Sequence, residues 1–368
     1  MPEPQKQFLD FEDTLVLKGL AILAIVFHNF YHRIGVVKEN ELAFDPQHFP
    51  VFLAQVTHPT QTFQAWFSYL GHFGVQIFIF LSAYGLALKY YPLEMPWAKF
   101  LTSRVKKIYP MYFLAVLLWI FFLAGMGGPS GMLDVLGKNW SKLILAPLAL
   151  INWVPHLGLP PVGPWWFLPF ILQFYLLWPL FVKFSRRFGA IGLWTLALAS
   201  LVIVSLLRPV LFAKWEINLQ LSPFGHIPEI CLGILMARFG YRISPIQAAC
   251  AAVLFVAGNI YYPLWLVTFA TVPILSLFVY QRLRPLARKA RVFAAVGSIA
   301  MPVFFINGIV RVPLLDIASR HANQWGAILL LGLLSTAISL GLGAFLDRIE
   351  SGFRWPEKTA PVPQRARA

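Results

Sequence analysis

The sequence predicts an all-α fold, a polytopic bundle of transmembrane helices with about ten spans and one short re-entrant or interfacial segment. Three observations predict it. Of 368 residues, 58% are hydrophobic and 12% charged, where a soluble domain carries about 25% charged residues. A mean hydropathy of +0.68 leaves too few polar side chains to cover a water-soluble core. Apolar runs close to twenty residues, enough to cross a hydrocarbon layer of about 30 Å as a helix, recur along the chain.

The spans fall at 15–34, 69–88, 109–126, 165–183, 189–208, 224–240, 244–261, 264–281, 293–311 and 325–346. The first follows an acidic lead-in, not a basic one, so it reads as a span and not as a cleavable signal peptide; residues 1–14 read as a cytoplasmic N-terminus. The connection from Arg33 to about Ser68, with Asn40, Asp45, His48 and His58, is long enough to form a structured cap over a cavity. Leu143 to Val154 is apolar but short, contains Pro147, and precedes His156 and the Pro160-Pro161 pair. Were it a crossing, Lys183, Arg186 and Arg187 would fall outside, so it is read as re-entrant or interfacial. Trp165, Trp166, Trp178, Trp265 and Trp325 stand at the ends of apolar runs, where amphipathic rings settle at a headgroup boundary. Cys231 and Cys250 lie inside apolar runs, so no disulfide framework is expected. The membrane domain is read as 15–346 and residues 347–368 as a disordered cytoplasmic tail.

The net charge of +15 does not point to nucleic acid, because the basic residues sit in short loops between apolar segments. With the short segment kept from crossing, most of them gather on one side, which puts both termini in the cytoplasm.

Ionisable groups at membrane depth cost about 2.5 to 3.5 kcal/mol each on insertion scales, so they face a protein interior or a wet cavity. The candidates are Lys18, His28 and His32 in the first span, His72 at the start of the second, and His226 and Glu229 in the 224–240 span; Asn307 is polar but uncharged. Counting from Leu15 at about 1.5 Å per residue, His28 lies about 20 Å up, past the midplane. An imidazole there can take and return a proton near neutral pH, as activating a hydroxyl acceptor requires. The alternative is a histidine that only hydrogen-bonds a neighbouring helix. His32, one turn above, is read as interfacial or as a second participant. Glu229 follows Pro228, so its carboxylate sits at a helix's positive end, either for chemistry or to partner a buried base. The run Arg104, Lys106, Lys107 is either orientation charge or a grip on the phosphates of a cytoplasmic anionic donor such as a coenzyme A thioester.

Taken in order, these segments resemble the membrane acyltransferase-3 family, which includes sugar and polysaccharide O-acetyltransferases. Leu17-Lys18-Gly19-Leu20-Ala21 followed by His28 is similar to its opening motif, and Gly74-Val75 with Phe78, Leu81, Ser82 and Ala83 to its second. Phe100, Arg104, Lys107, Ile108, Pro110 and Tyr112 match its third. Trp166-Phe167-Leu168-Pro169 with Tyr175 and Pro179, and Pro228-Glu229 with Gly233 and Ala237, complete the set, which runs from the first span to about residue 310.

The resemblance implies transfer of an acyl group, commonly acetyl, from cytoplasmic acyl-CoA (acetyl-CoA) as co-substrate to a hydroxyl of an extracytoplasmic or lipid-linked carbohydrate. It implies His28 as catalytic with Glu229 and Lys18, the donor on Arg104, Lys107 and Tyr112, and the acceptor near His32, Trp166, Tyr175 and Asn307. No metal and no permanently bound cofactor is expected, and the implied location is a bacterial inner membrane. Nine residues lie between Lys18 and His28 where the family usually has ten. That sets the two about 80° apart on a regular helix, which a bulge, or His32 in place of His28, would repair. Two other classes stay open: a glycan or lipid transporter, for which no internal repeat is visible, and an inactive acyltransferase-like scaffold.

Overall fold

The computed structural model describes residues 7–35, 37, 39–40, 42–91, 96–321 and 323–353. Within them the chain is helical: α1 (Phe11–Ile34), α2 (His48–Val56), α3 (Thr62–Leu70), α4 (Gly74–Tyr90), α5 (Trp97–Leu145), α6 (Phe167–Trp215), α7 (Ile227–Arg238), α8 (Pro245–Ile260), α9 (Tyr262–Lys289), α10 (Arg291–Ser298), α11 (Ala300–Arg320) and α12 (Trp325–Phe353). Among the described residues there is no strand, only an isolated bridge between Asn40 and Ala43.

Seven stretches are long and apolar enough to cross a membrane: α1, residues 62–90 taken together, α5, residues 163–215, α9, α11 and α12. In the best windows of α5 and α6 only 28% and 22% of residues are buried, so these helices turn apolar side chains such as Phe121, Ile191 and Leu206 outward. In water that would be untenable; in lipid it is the favoured face. Buried instead are α1 and α4, the inner staves around which the others pack.

Backbone detail keeps one expected boundary, at Gly189, and revises others. The spans expected at 165–183 and 189–208 are two halves of α6, broken at Gly189 (φ 64°, ψ −156°). α5 extends on both sides of the expected 109–126 and breaks at Gly128 (φ 66°, ψ −179°). Both conformations are open essentially to glycine alone. The segment 143–154 finishes α5, turns at 146–149 and ends in a 3-10 turn at Ile151–Trp153. Residues 293–311 are not one helix: the chain breaks at Ile299, and the short amphipathic α10 lies against α1 while α11 continues as the span. α12 runs to Phe353, past the expected end at 346, and the remainder of the tail lies outside the described residues, as do residues 1–6 of the expected cytoplasmic N-terminus.

A polar network locks the start of α1. At its start Asp10 and Asp13 form a reciprocal capping box, with bonds of 3.0 and 2.9 Å. Asp13, wholly buried, also accepts from Tyr280 Oη at 2.8 Å, Arg284 Nε at 2.8 Å and Arg288 Nε at 2.9 Å, tying α1 to the end of α9. Asp13→Ala strips the carboxylate from two guanidiniums that are each about a third exposed. We expect a loss of about 2 to 4 kcal/mol, somewhat below a fully buried pair, read as a lowered Tm in detergent. In the connection from α1 to α2, Glu39 bonds His48 at 2.6 Å, and that carboxylate holds the imidazole above its usual pKa.

Candidate functional site

His28 projects from α1 where α3 and the turn Gly71–Phe73 cross it without side-chain spacers. A Cβ at Gly71 would lie 2.5 Å from Ala24 O and 2.7 Å from His28 Cβ. That approach brings the α3 backbone to the imidazole: His28 Nδ1 lies 3.1 Å from Ser68 O and 3.3 Å from Phe67 O. Carbonyls only accept, so Nδ1 carries the hydrogen and Nε2 keeps its lone pair. His32 repeats the arrangement one turn on, with Nδ1 2.7 Å from His28 O. The two rings stack, centroids 4.4 Å apart and 8° from parallel. His72 closes a triangle, its ring 5.4 Å from that of His28, and neither of its nitrogens has a partner among the described residues.

These three histidines line a cavity of about 360 Å³, together with Asn29, Arg33, Asn40, Arg311, Trp166 and the Gly163-Pro164 turn. Asn29 is held from both sides: its Nδ2 donates to Asn307 Oδ1 at 2.8 Å, and its carbonyl accepts from Arg311 Nη1 at 2.5 Å. Asn307 itself is buried and spends its amide hydrogens on the carbonyls of Val303 and Phe304, so it supports the cavity wall through Asn29 and does not line it. Trp166 lines the cavity, and its neighbour Trp165 anchors to α11 by Nε1 to Phe305 O at 2.8 Å.

The remaining expected residues lie elsewhere. Arg104 donates to Tyr90 Oη at 2.5 Å and stacks over Tyr90 and Phe100, and Tyr175 meets Phe100 edge-on at 6.1 Å. Tyr175 therefore belongs with Arg104 and not with the acceptor cavity. Lys107 is exposed. Tyr112 is sealed in aromatic core against Trp165 and Phe305, at 5.5 and 6.0 Å, and does not touch Arg104. α1 is unbroken from Phe11 to Ile34, so no bulge rotates Lys18 toward His28. Ten positions of regular helix hold them about 15 Å apart along the axis, and Lys18 does not line the cavity.

Glu229 is also outside the cavity lining, fully buried and 2.9 Å from His226 Nδ1. His226 Nε2 faces Gln220 O at 3.0 Å and so carries a hydrogen. The Glu229 contact is the one a partner of a buried base would make.

Sequence reasoning gave no role to Asn29, Arg311, Arg33 or His72. His72 is visible as an ionisable residue at a span start, whereas Arg311 reads as one more basic residue at the end of an apolar run. Asn29 adjoins His28 but, being neutral, raises no alarm at membrane depth.

Among protein families, the model of an acyltransferase domain matches residues 9–344. Comparison with curated proteins and with solved structures returns no match.

Proposed function

Because the chain belongs to the acyltransferase-3 family over residues 9–344 and is a membrane acyltransferase, we propose that it moves an acyl group, acetyl foremost, from acyl-CoA to a carbohydrate hydroxyl. The donor comes from the cytoplasm, where both termini lie, and the acceptor is extracytoplasmic or lipid-linked, across a bacterial inner membrane.

The observation that carries this reading is the contact of His28 Nδ1 with the α3 carbonyls. With Nδ1 committed to Ser68 O, Nε2 is the basic nitrogen of a residue that lines the cavity. In the reaction Nε2 takes the acceptor hydroxyl proton while that oxygen forms a bond to the thioester carbonyl carbon. The tetrahedral intermediate then expels the thiolate, the carbon–sulfur bond breaks, and the imidazolium returns its proton to sulfur. Asn29 and Arg311 share the cavity and are donors of the type that steadies an oxyanion. His32, stacked on His28 in the same cavity, serves acceptor positioning, as do Trp166 and, through Asn29, Asn307. At the far end of α4, Arg104, with Tyr175 behind Phe100 and Lys107 nearby in sequence, receives the donor. Lys18 and Glu229 serve the bundle's electrostatics and not the reacting atoms.

The test is mass spectrometry of host surface glycans with and without the protein. A mass gain of one acyl group per modified sugar is expected. Movement of unmodified glycan across the membrane with no acylated product would favour a transporter and refute the proposal.

A further inference from the structure

α4 ends in two tyrosines, and cations from four helices converge on them. Lys89 lies over the Tyr90 ring at 5.3 Å, and Arg104 of α5 over the same ring at 5.0 Å. Arg238 of α7 lies over Tyr91 at 4.6 Å, and Arg186 of α6 at 5.4 Å. Arg186 Nη2 also donates to Tyr91 O at 2.5 Å. None of the four cations forms an ion pair with a carboxylate among the described residues, and Arg238 Nε is buried without a partner. None lines the histidine cavity.

Like charges drawn together repel unless something of opposite charge lies among them. Membrane orientation does not require this arrangement, because it depends only on the sum of Lys and Arg on one side. Three arginines from three separate helices meeting on adjacent rings is a placement. Forked guanidiniums bind phosphate oxygens in pairs, and the two ring faces hold the forks in orientation.

We infer that Arg186, Arg238 and Arg104, mounted on Tyr91 and Tyr90, form a binding site for a phosphate-bearing anion, the phosphorylated nucleotide end of the acyl donor. The assignment rests on the acyl-CoA reading above. It replaces the expected partnership of Arg104 with Tyr112 by one with Arg186 and Arg238. Phosphate could also come from a lipid headgroup, and the test separates the two sources.

The full chain is placed in nanodiscs of zwitterionic lipid, and adenosine 3′,5′-bisphosphate is titrated as the probe by calorimetry. Arg186→Gln and Arg238→Gln are each expected to weaken its binding about tenfold, as loss of a charge-assisted pair implies. In acyl transfer, the preference for acyl-CoA over acyl-pantetheine, which lacks the nucleotide phosphates, should fall by a similar factor. Unchanged probe affinity in both variants overturns the site. So does an equal loss with both donors, which would mark a structural role. Unchanged probe affinity with lost retention of phosphatidylglycerol, by native mass spectrometry, assigns the cluster to lipid and overturns the donor site. Wild-type protein that binds the probe yet transfers nothing from acyl-CoA would refute the donor reading while leaving the phosphate site standing.

Discussion

His28→Ala is expected to cut acyl transfer from radiolabelled acyl-CoA in proteoliposomes by about 10³-fold, within the range a positioned general base supplies. The ring makes two bonds, both through Nδ1 to α3 carbonyls, and these hold it in place. Deleting it removes Nε2 from the cavity but leaves the backbone crossing at Gly71 untouched, so folded yield should be retained. His32→Ala provides the comparison. Its ring stacks on His28 and lines the same cavity, so its loss should disturb acceptor binding more than turnover, raising KM with a smaller effect on kcat. Full activity of His28→Ala, or inactivity of His32→Ala alone, would move the chemistry to another residue. An inactive His28→Ala that also fails to elute as a monodisperse species would leave the role to a conservative variant, His28→Gln, which can still donate to Ser68 O but cannot act as a base.

Gly19→Val is expected to abolish the folded protein altogether. A Cβ at Gly19 would fall inside contact distance of the Phe293 carbonyl, and one at Gly297 inside that of Leu15. The obstruction is therefore reciprocal, backbone against backbone, at the crossing of α1 and α10. Flexible side chains can move aside for a new methyl group, but here helix axes would have to part. Overpacking a core costs about 1 to 3 kcal/mol where neighbours adjust, and here the colliding atoms are main chain, with α1 also fixed by Asp13 to Arg284 and Arg288. Gly341→Val is the control, since nothing lies within 4 Å of a Cβ there. Size-exclusion chromatography in detergent reads both. Normal yield of Gly19→Val with an unchanged Tm would show that the α1–α10 crossing is not as close as described.

Much of the fold is legible because lipid imposes a length and a composition at once. A helix that must cross it needs about twenty apolar residues whatever its neighbours do, so the runs stand out in a single sequence. His28 is legible for the converse reason: an ionisable side chain in such a run is costly enough to demand an explanation. His32 follows from it at one helical turn, and Trp166 from its motif. Breaks inside runs are harder to see. Ile299 interrupts the stretch 293–311, which reads as one apolar run, because hydropathy records the solvent and not the φ angle.

The site divides along the same line. Asn29 and Arg311 come from helices far apart in the chain, and their pairing depends on where α11 crosses α1. Tyr112 and Tyr175 lie on helical segments beside known motifs, yet one is walled into aromatic core and the other joins Arg104. Arg186 and Arg238 lie on helices between apolar runs, among basic residues that satisfy an orientation rule by their sum, which conceals any convergence among them.

By itself the sequence determined that this chain lives in a membrane as a helical bundle of the acyltransferase kind, with an imidazole where lipid would reject one. Those properties depend on residue type and on spacing along one helix, and both are local. Tertiary structure alone decided that Lys18 and Glu229 stand apart from the cavity, that Nδ1 of His28 is spoken for, and that three arginines share two rings. These are relations between helices, helped by glycine contacts such as Gly71 against α1 and Gly233 against α4 that let main chains meet, and no pattern within a single helix encodes where a second one will touch it.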